Sequence, residues 1–354
     1  MSEVRVLVGP GVVADPALLS EIAEREFAAL GAAGTVTYAR TAGELLAGGP
    51  GDGVPVVIPG PEPAARALMA EFAGPVVWLD LTRADDVCVG AEARHLHGRG
   101  VEGLAWAIRH AVHRSRHPAR RVAYGAHADQ WAELYLPKDL AAASVPVIVL
   151  VHGGYWRSIW AADLMEPLAA DLVGRGFAVW NLEYRRPDLH GWEATTADVA
   201  AGVGALAEAG EERLDLDRVA VAGHSAGAQL ALRAAADGAR VALAVSLAGV
   251  LDLVEGDRRW LSSGAVAAAL GGDAEVYGAA SPLARLPLKV RQLVVQGRGD
   301  DLDLIDFSRR YARAAKESGD DLTYLEMSGD HFAVIDPGTP LWRTTAVAIA
   351  NALR

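Results

Sequence analysis

Short apolar runs alternate with segments of helical period along the first third of the chain. The predicted strands lie at residues 4–8, 35–38, 54–58 and 76–81, and the predicted helices at 16–30, 42–47, 64–72 and 101–113. Continuous apolar strands joined by helical crossovers are typical of a parallel sheet that is covered on both faces. The pattern therefore predicts an N-terminal α/β domain.

A polar, basic stretch interrupts this alternation at residues 113–121, which contain a proline and show no apolar period. Such stretches commonly separate domains, and we predict one domain at residues 1–115 and a second at 116–354. In the second, the predicted strands lie at 145–151, 178–184, 219–222, 241–247, 292–295 and 323–327, and the predicted helices at 162–175, 196–209, 227–236, 307–318 and 341–353. This pattern predicts an open α/β sheet with its own core.

The charge balance of the chain is acidic, with 33 Lys and Arg against 45 Asp and Glu and a formal net charge of −12. This balance argues against partners such as nucleic acid or an anionic membrane. Cys88 is the single cysteine, and residues 1–5 lack the basic flank and apolar core of a secretory signal. We therefore expect a cytoplasmic protein without an intrachain disulfide.

A candidate nucleophile lies where a predicted strand meets a predicted helix. The run Gly223-His224-Ser225-Ala226-Gly227 ends the strand and opens the helix, which is the context that gives the pattern G-x-S-x-G its meaning. Flanking glycines allow a tight turn that presents the serine hydroxyl above the sheet. We predict that Ser225 is a catalytic nucleophile.

A serine hydroxyl needs a histidine base, and that histidine usually needs an acid to orient it. His331 is the one histidine that follows Ser225, and it lies on the loop after the last predicted strand. Asp300, after the strand at 292–295, is the preferred acid. Its neighbour Asp301 is the alternative, and Asp252 is a third candidate that fits a structural role better.

The oxyanion of an acyl-transfer intermediate needs backbone N–H groups that approach closely. Residues 152–156, His-Gly-Gly-Tyr-Trp, follow the strand at 145–151 and supply glycines that leave room. We predict the N–H of Gly154 or Tyr155 and the N–H of Ala226 as donors. His152 is expected to hydrogen-bond this loop into shape.

Aromatic residues lie on segments that are expected to border the cleft. Trp156 and Trp160 are the predicted substrate contacts, because an indole can stack on an aromatic ring. A packing role, in the core or at the edge of the cleft, explains each of these two tryptophans equally well.

Residues 121–354 resemble the α/β-hydrolase superfamily, and within it the branch of kynurenine formamidase and related carboxylesterases. Residues 152–156 are similar to the HGGxW signature of that branch, and residues 124–137 and 181–185 resemble its lead-in strands and the segment after its second core strand. The resemblance implies hydrolysis of a small aryl formamide, such as N-formylkynurenine, or of a carboxylic ester. The alternatives are a carboxylesterase with another substrate and a non-catalytic binding or scaffold protein with a vestigial triad.

Residues 4–113 resemble the type II 3-dehydroquinate dehydratases, a resemblance that implies a flavodoxin-like parallel sheet. It is carried by Val8-Gly9-Pro10 and by residues 54–60, 75–81 and 98–103. Pro59 and Asp80 stand where the family has a catalytic asparagine and histidine, so we expect no dehydration. Since the family forms symmetric oligomers, the resemblance implies that this domain serves homo-oligomer assembly or covers the hydrolase cleft.

Five histidines cluster around the last predicted helix of the N-terminal domain: His95, His97, His110, His113 and His117. The sequence pattern supplies no carboxylate or cysteine to complete a metal site. We interpret the cluster as a solvated basic face and predict an enzyme that needs neither a metal nor a cofactor.

Overall fold

The chain divides into two compact units, Met1–Pro118 (unit 1) and Ala119–Arg354 (unit 2). The structure, a computed structural model, describes residues 3–48, 53–138, 144–272 and 274–354. Within these ranges, no helix is long and apolar enough to cross a membrane.

Unit 1 is built on a five-stranded parallel sheet with the strand order β2-β1-β3-β4-β5. Its strands are β1 (Glu3–Val8), β2 (Ala33–Tyr38), β3 (Val56–Ile58), β4 (Val76–Asp80) and β5 (Ala93–His97), and its helices are α1 (Pro16–Leu30), α2 (Ala42–Gly48), α3 (Pro63–Glu71) and α4 (Gly103–Arg116). This order is that of the flavodoxin-like folds, so the predicted fold class is confirmed. The predicted elements omitted β5, because its sequence, Ala-Arg-His-Leu-His, has little apolar character.

Two separate clusters of apolar side chains cover the faces of this sheet. Residues of α1 and α4 pack with β1 and β3 in one cluster, and residues of α2 and α3 pack with β4 in the other. The ends of α1 show how particular residues determine where a helix begins and ends. The Asp15 carboxylate accepts a hydrogen bond from the N–H of Leu18 at 2.9 Å, and Gly31 ends the helix at a φ of 55°.

The histidines of unit 1 do not form the solvated basic face that we expected. His110 is only 4% exposed, and burial lowers its pKa well below the ordinary value. His113 follows the same trend, since burial and the neighbouring His117 lower its pKa to about 4. The expectation was wrong because α4 turns this part of its surface toward the protein interior.

Unit 1 should therefore lose stability in mild acid. Above pH 6.5, the usual pKa of a histidine in the unfolded state, a histidine with a lowered folded-state pKa is neutral in both states and leaves the unfolding free energy unchanged. As the pH falls from 6.5 toward the folded-state pKa, protonation favours the unfolded state, and the unfolding free energy decreases. For His113 the expected loss is about 2 kcal/mol of unfolding free energy at pH 5. Urea unfolding followed by amide exchange of unit 1 peptides at pH 7.5 and pH 5 measures this loss.

The variant His113→Phe removes the titrating group and is the matched comparison. Its unfolding free energy should fall less between pH 7.5 and pH 5 than that of the native protein. An equal fall in both proteins would show that His113 is not responsible.

Unit 2 contains an eight-stranded sheet with the order β13-β12-β11-β10-β8-β9-β7-β6. Its strands are β6 (Arg120–Ala123), β7 (Trp131–Tyr135), β8 (Val145–Val151), β9 (Ala178–Leu182), β10 (Leu214–His224), β11 (Leu243–Leu247), β12 (Arg291–Gly297) and β13 (Leu322–Met327). The pairs β6–β7 and β7–β9 are antiparallel, and the others are parallel. The main apolar core lies on this sheet and includes α8 and the buried Trp156, Trp180 and Tyr184.

The helices of unit 2 are α5 (Glu166–Gly174), α6 (Pro187–His190), α7 (Trp192–Gly204), α8 (Ala226–Ala236), α9 (Leu253–Arg258), α10 (Ala265–Leu270), α11 (Ala274–Ala280), α12 (Leu302–Glu317) and α13 (Pro340–Ala352). The predicted elements omitted α9, α10 and α11, which lie between β11 and β12. Each is at most seven residues long, too short to establish a helical period in the sequence.

The parallel strands of unit 2 bring several loops to one edge of the sheet. Strands β8, β10, β11, β12 and β13 run in the same direction, with Val151 beside Gly223 and Gly297 beside Met327. The loops that follow β8, β10, β12 and β13 therefore meet at the carboxyl edge. In open α/β sheets, this edge is where ligands bind.

Candidate active site

Ser225 occupies a strained turn between β10 and α8. Its φ of 54° and ψ of −119° lie in a region that side-chain-bearing residues rarely adopt. The serine N–H donates to the carbonyl of Leu247 at 2.8 Å, which ties the turn to β11. This geometry matches the sharp strand-to-helix turn that presents a nucleophilic serine.

The two glycines of this turn are required by close backbone approach. A Cβ on Gly223 would lie 2.1 Å from the carbonyl oxygen of Gly227, and one on Gly227 would lie 2.2 Å from that of Val151. Since neither distance is sterically allowed, these positions accept only glycine without movement of the backbone.

His331 and Asp300 form a hydrogen-bonded pair at the same edge of the sheet. Nδ1 of His331 lies 2.9 Å from Oδ2 of Asp300, whose side chain is 2% exposed. The carboxylate also accepts hydrogen bonds from Nε2 of Gln296 at 2.7 Å and from the N–H of Asp301 at 2.7 Å. The structure thus brings together the predicted base and the preferred acid.

The two other candidate acids have structural partners. The Asp301 side chain accepts from the N–H of Asp303 at 2.8 Å and caps α12. The Asp252 side chain accepts from the N–H of Glu255 at 3.1 Å, which caps α9, and lies 2.8 Å from Arg310. Neither carboxylate is the partner of His331.

The loop that carries His331 is fixed to the serine turn. Nε2 of His224, the residue before Ser225, lies 3.1 Å from the carbonyl oxygen of His331, and the two rings lie 4.7 Å apart. Because a carbonyl only accepts, His224 donates this hydrogen bond. Burial, together with the neighbouring His331, lowers the pKa of His224 well below its usual range, so its ring is neutral.

The predicted oxyanion loop lies against the serine turn. A Cβ on Gly153 would lie 3.0 Å from Cβ of Ser225. The next three residues, Gly154, Tyr155 and Trp156, all have a positive φ, of 111°, 49° and 58°. The backbone of these three residues therefore departs from an extended chain, and loops of unusual backbone conformation are where successive N–H groups can converge on an anion.

Trp156 and Trp160 differ in their surroundings. Trp156 is 1% exposed, packs in the main core, and donates its indole N–H to Oε1 of Gln229 on α8 at 3.1 Å. These contacts hold residues 152–156 against α8 and bury the indole ring, so the predicted substrate contact does not fit Trp156. Trp160 is half-buried and lies against Gly154, whose Cβ would be 2.3 Å from that of Trp160.

A buried ionic network contacts residues 152–156, the predicted oxyanion loop. His152 lies between the carbonyl oxygen of Gly153 at 2.9 Å and Oε1 of Glu183 at 3.1 Å, and its ring stacks on Tyr184. Arg186 pairs with Glu183. Burial alone would raise the pKa of Glu183, but the charges of Arg186 and His152 outweigh it and lower that pKa.

This network leaves His152 unable to act as the base for Ser225, because both of its ring nitrogens are engaged. The expected structural role of His152 therefore agrees with its contacts. Tyr184 reinforces it, since its hydroxyl donates to the carbonyl of His152 at 2.8 Å.

Tyr155 extends from the predicted oxyanion loop toward the loop that carries Asp300 and Asp301. Burial, followed by the negative charges of Asp301 and Asp300, raises the pKa of its hydroxyl, which also hydrogen-bonds Ser262. The phenol consequently stays protonated in the neutral range and can donate a hydrogen bond near the paired carboxylate.

Two further residues of the site escaped the sequence-based prediction. Gln296 is held by Ser308, whose hydroxyl donates to Oε1 of Gln296 at 2.8 Å, and this orients the amide toward Asp300. Phe332 is 44% exposed, and its ring lies 5.5 Å from that of His331, edge to face. The signal for Gln296 was a polar residue inside an apolar strand, whereas Phe332 had no signal beyond its position next to the base.

Comparisons with known proteins match segments of this chain. Residues 132–258 match the BD-FAE family model, a segment that contains the oxyanion loop and Ser225 but ends before Asp300. Esterase LipC of Mycobacterium tuberculosis is 34% identical over 132 residues, which are 35% of this chain and 30% of the relative. Hydrolase LUC6 of a Fusarium species is 38% identical over 136 residues, 34% of this chain and 31% of the relative. The chain thus spans about a third of the length of these curated relatives.

Solved structures match about two thirds of the chain. Esterase B from Lactobacillus rhamnosis matches with a TM-score of 0.60 at 20% identity, over 70% of this chain and 90% of that one. A truncated carbohydrate esterase from gut microbiota matches with a TM-score of 0.59 at 19% identity, over 66% of this chain and 95% of that one. Unit 2, which contains residues 132–258, therefore has a mixed α/β fold of the α/β-hydrolase type, and this segment is similar to the BD-FAE family model.

Proposed function

We propose that unit 2 is a serine hydrolase that cleaves a small carboxylic ester or an aryl formamide, with Ser225 as nucleophile, His331 as base and Asp300 as the orienting acid. The observation that carries this proposal is the 2.9 Å hydrogen bond between Asp300 and His331 beside the strained turn of Ser225. The names of the curated relatives, an esterase and a hydrolase, support the reaction class.

The hydrogen bond to Asp300 sets the tautomer of His331. A carboxylate only accepts, so Nδ1 carries the proton and Nε2 is free to take the proton of the serine hydroxyl. Ser225 Oγ then attacks the acyl carbon, and the N–H groups of Gly154 or Tyr155 and of Ala226 stabilise the oxyanion. His331 returns the proton to the leaving group.

Deacylation repeats these steps with water as the nucleophile. His331 removes a proton from the water, the acyl-serine bond breaks, and Ser225 recovers its proton. Neither half of the cycle requires a metal or a cofactor.

The narrower substrate proposal, an aryl formamide, draws support from the aromatic side chains at the rim. Trp160 is half-buried beside the oxyanion loop, and Phe332 lies partly exposed beside His331. Aromatic side chains in such positions can pack against an aryl leaving group. A general carboxylesterase would use the same triad. The preference for one leaving group, an aryl amine or an alcohol, therefore distinguishes an aryl formamidase from a carboxylesterase.

A panel of substrates tests the function directly. We expect N-formylkynurenine and short aryl esters to have higher kcat/KM values than esters with long acyl chains, and dehydroquinate to remain unchanged. The highest kcat/KM on the formamide would support the narrower proposal, and the highest value on long-chain esters would support a carboxylesterase. Absence of hydrolysis across the panel, together with no labelling by a fluorophosphonate, would indicate the binding protein instead.

For unit 1 we propose a scaffold similar to type II dehydroquinate dehydratases but without catalysis. Asp80, which stands where that family has a histidine, is bound by Arg66 at 2.7 and 3.0 Å and by Nε2 of His95 at 2.8 Å. Although burial opposes it, hydrogen bonds from His95 and Arg66 lower the pKa of Asp80 to about 2, so it cannot act as a proton donor. Homo-oligomer assembly is then the proposed role of unit 1, and the mass of the chain in solution, with and without residues 1–115, measures it.

A further inference from the structure

A second group of chemically active side chains lies outside the proposed triad, in unit 2. His127 and Asp129 belong to the connection between β6 and β7, and His190 ends α6. One ligand atom from each residue lies within 4.8 Å of those from the other two. Across the described parts of the chain, it is the one group of three or more such residues with this spacing.

The donor set defines the class of ligand. Two imidazoles and one carboxylate are typical of ions of intermediate softness such as Zn²⁺, which commonly takes three protein ligands and a water. Hard ions such as Mg²⁺ and Ca²⁺ prefer oxygen ligands alone. We propose that His127, Asp129 and His190 bind a divalent transition-metal ion of the Zn²⁺ class, which fastens α6 to the β6–β7 connection.

The accessibility and contacts of the three residues suit such an ion. His127, Asp129 and His190 are all at least partly exposed, so an ion can enter from solvent. The centroids of the His127 and His190 rings lie 4.6 Å apart and the ring planes meet at 75°, so one imidazole packs edge to face against the other.

Two of the proposed ligands already have hydrogen-bond partners, and the loss of these hydrogen bonds on metal binding lowers the affinity for the ion. Nδ1 of His127 accepts from the N–H of Asp129 at 3.1 Å, so coordination through Nε2 requires the ring proton to move to Nδ1 and this bond to break. Asp129 also lies 3.3 Å from Arg186. Arg186 keeps its partner Glu183 if Asp129 turns to the ion, so no buried charge loses its only partner.

The position of α6 gives the ion a structural effect near the proposed site. Asp188 on this helix accepts hydrogen bonds from the N–H of Ser158, at 3.1 Å, and from its hydroxyl, at 3.0 Å. Ser158 lies two residues after Trp156 in the segment that continues the oxyanion loop. The ion would thereby brace this segment, and none of its ligands belongs to the triad.

Binding is tested on the full chain after treatment with a chelator. Titration with CoCl₂ should give one equivalent of bound Co²⁺ with the visible absorption of a low-coordinate nitrogen and oxygen site, and ZnCl₂ should displace it while MgCl₂ should not. Because a ligand that binds only the folded state raises its stability, ZnCl₂ should also raise the unfolding temperature in proportion to the logarithm of its concentration.

The variant His127→Gln/His190→Gln removes both imidazoles. Its dissociation constant for Zn²⁺ should rise more than about 100-fold, beyond the effect of losing an outer hydrogen bond. The control His117→Gln removes one histidine from unit 1 and should bind as the native protein does. Should the double variant fail to fold, His127→Gln changes only a partly exposed side chain and should still weaken binding more than about 10-fold.

Two results would overturn the proposal. One is less than one equivalent of Co²⁺ at saturation in the native protein, and the other is equal affinity in the native protein and the histidine variants. Since the readout is binding, neither result depends on whether unit 2 is a hydrolase.

Discussion

Replacing Ser225 with alanine should lower kcat by about 10⁴- to 10⁶-fold, as loss of the nucleophile does in serine hydrolases, and leave KM within a few-fold. The reason is that Ser225 forms the acyl-enzyme in the proposed mechanism, while the variant leaves the proposed oxyanion donors and the aromatic side chains beside them unchanged for substrate binding. Alanine keeps the Cβ of Ser225, which is 2% exposed, so the turn should fold as before. Rates on the best substrate of the panel, measured with single-turnover controls, give both constants.

A matched control lies on the neighbouring strand. Ser246 on β11 is fully buried and pairs in register with Gly223, and its hydroxyl has no hydrogen-bond partner within the described residues. Ser246→Ala should retain both turnover and labelling by a fluorophosphonate, whereas Ser225→Ala should lose both. Normal turnover in Ser225→Ala would remove Ser225 from the mechanism.

The features that sequence analysis could predict are those set by local pattern. The strand at 145–151 and the helix at 16–30 were predicted with the bounds that the structure has, because each combines a clear period with a clear stop. The proline at the start and the glycine after the end of α1 are such stops. Ser225 and His331 could be singled out in the same way, since each follows a strand at the edge where ligands bind.

The features that the sequence did not decide depend on contacts between distant segments. Asp300 and Asp301 are adjacent in the same loop, and only the contact between this loop and the distant loop of His331 shows that Asp300 is the partner. The burial of Trp156 is likewise set by Gln229 on α8. His127 and His190 are 63 positions apart in the chain, so no local pattern brings them together.

The second prediction with a large expected effect distinguishes Asp300 from Asp301 as the acid that orients His331. Asp300→Asn should lower kcat by about 10³- to 10⁴-fold, the order of loss seen when the triad acid of a serine protease becomes an amide. Oδ2 of Asp300 accepts from both His331 and Gln296, and an amide nitrogen in that place would donate. Nδ1 of His331 must then accept, so Nε2 carries the proton and cannot remove the proton of Ser225.

Asp301→Asn is the matched comparison, because it makes the same chemical change one residue away. The side chain of Asp301 caps α12 by accepting from Asp303, and asparagine caps a helix about as well as aspartate. This variant should therefore keep kcat within a few-fold and unfold at nearly the native temperature. Equal losses in the two variants would mean that the charge of the loop, and not the hydrogen bond to His331, supports turnover, and a larger loss in Asp301→Asn would reassign the acid.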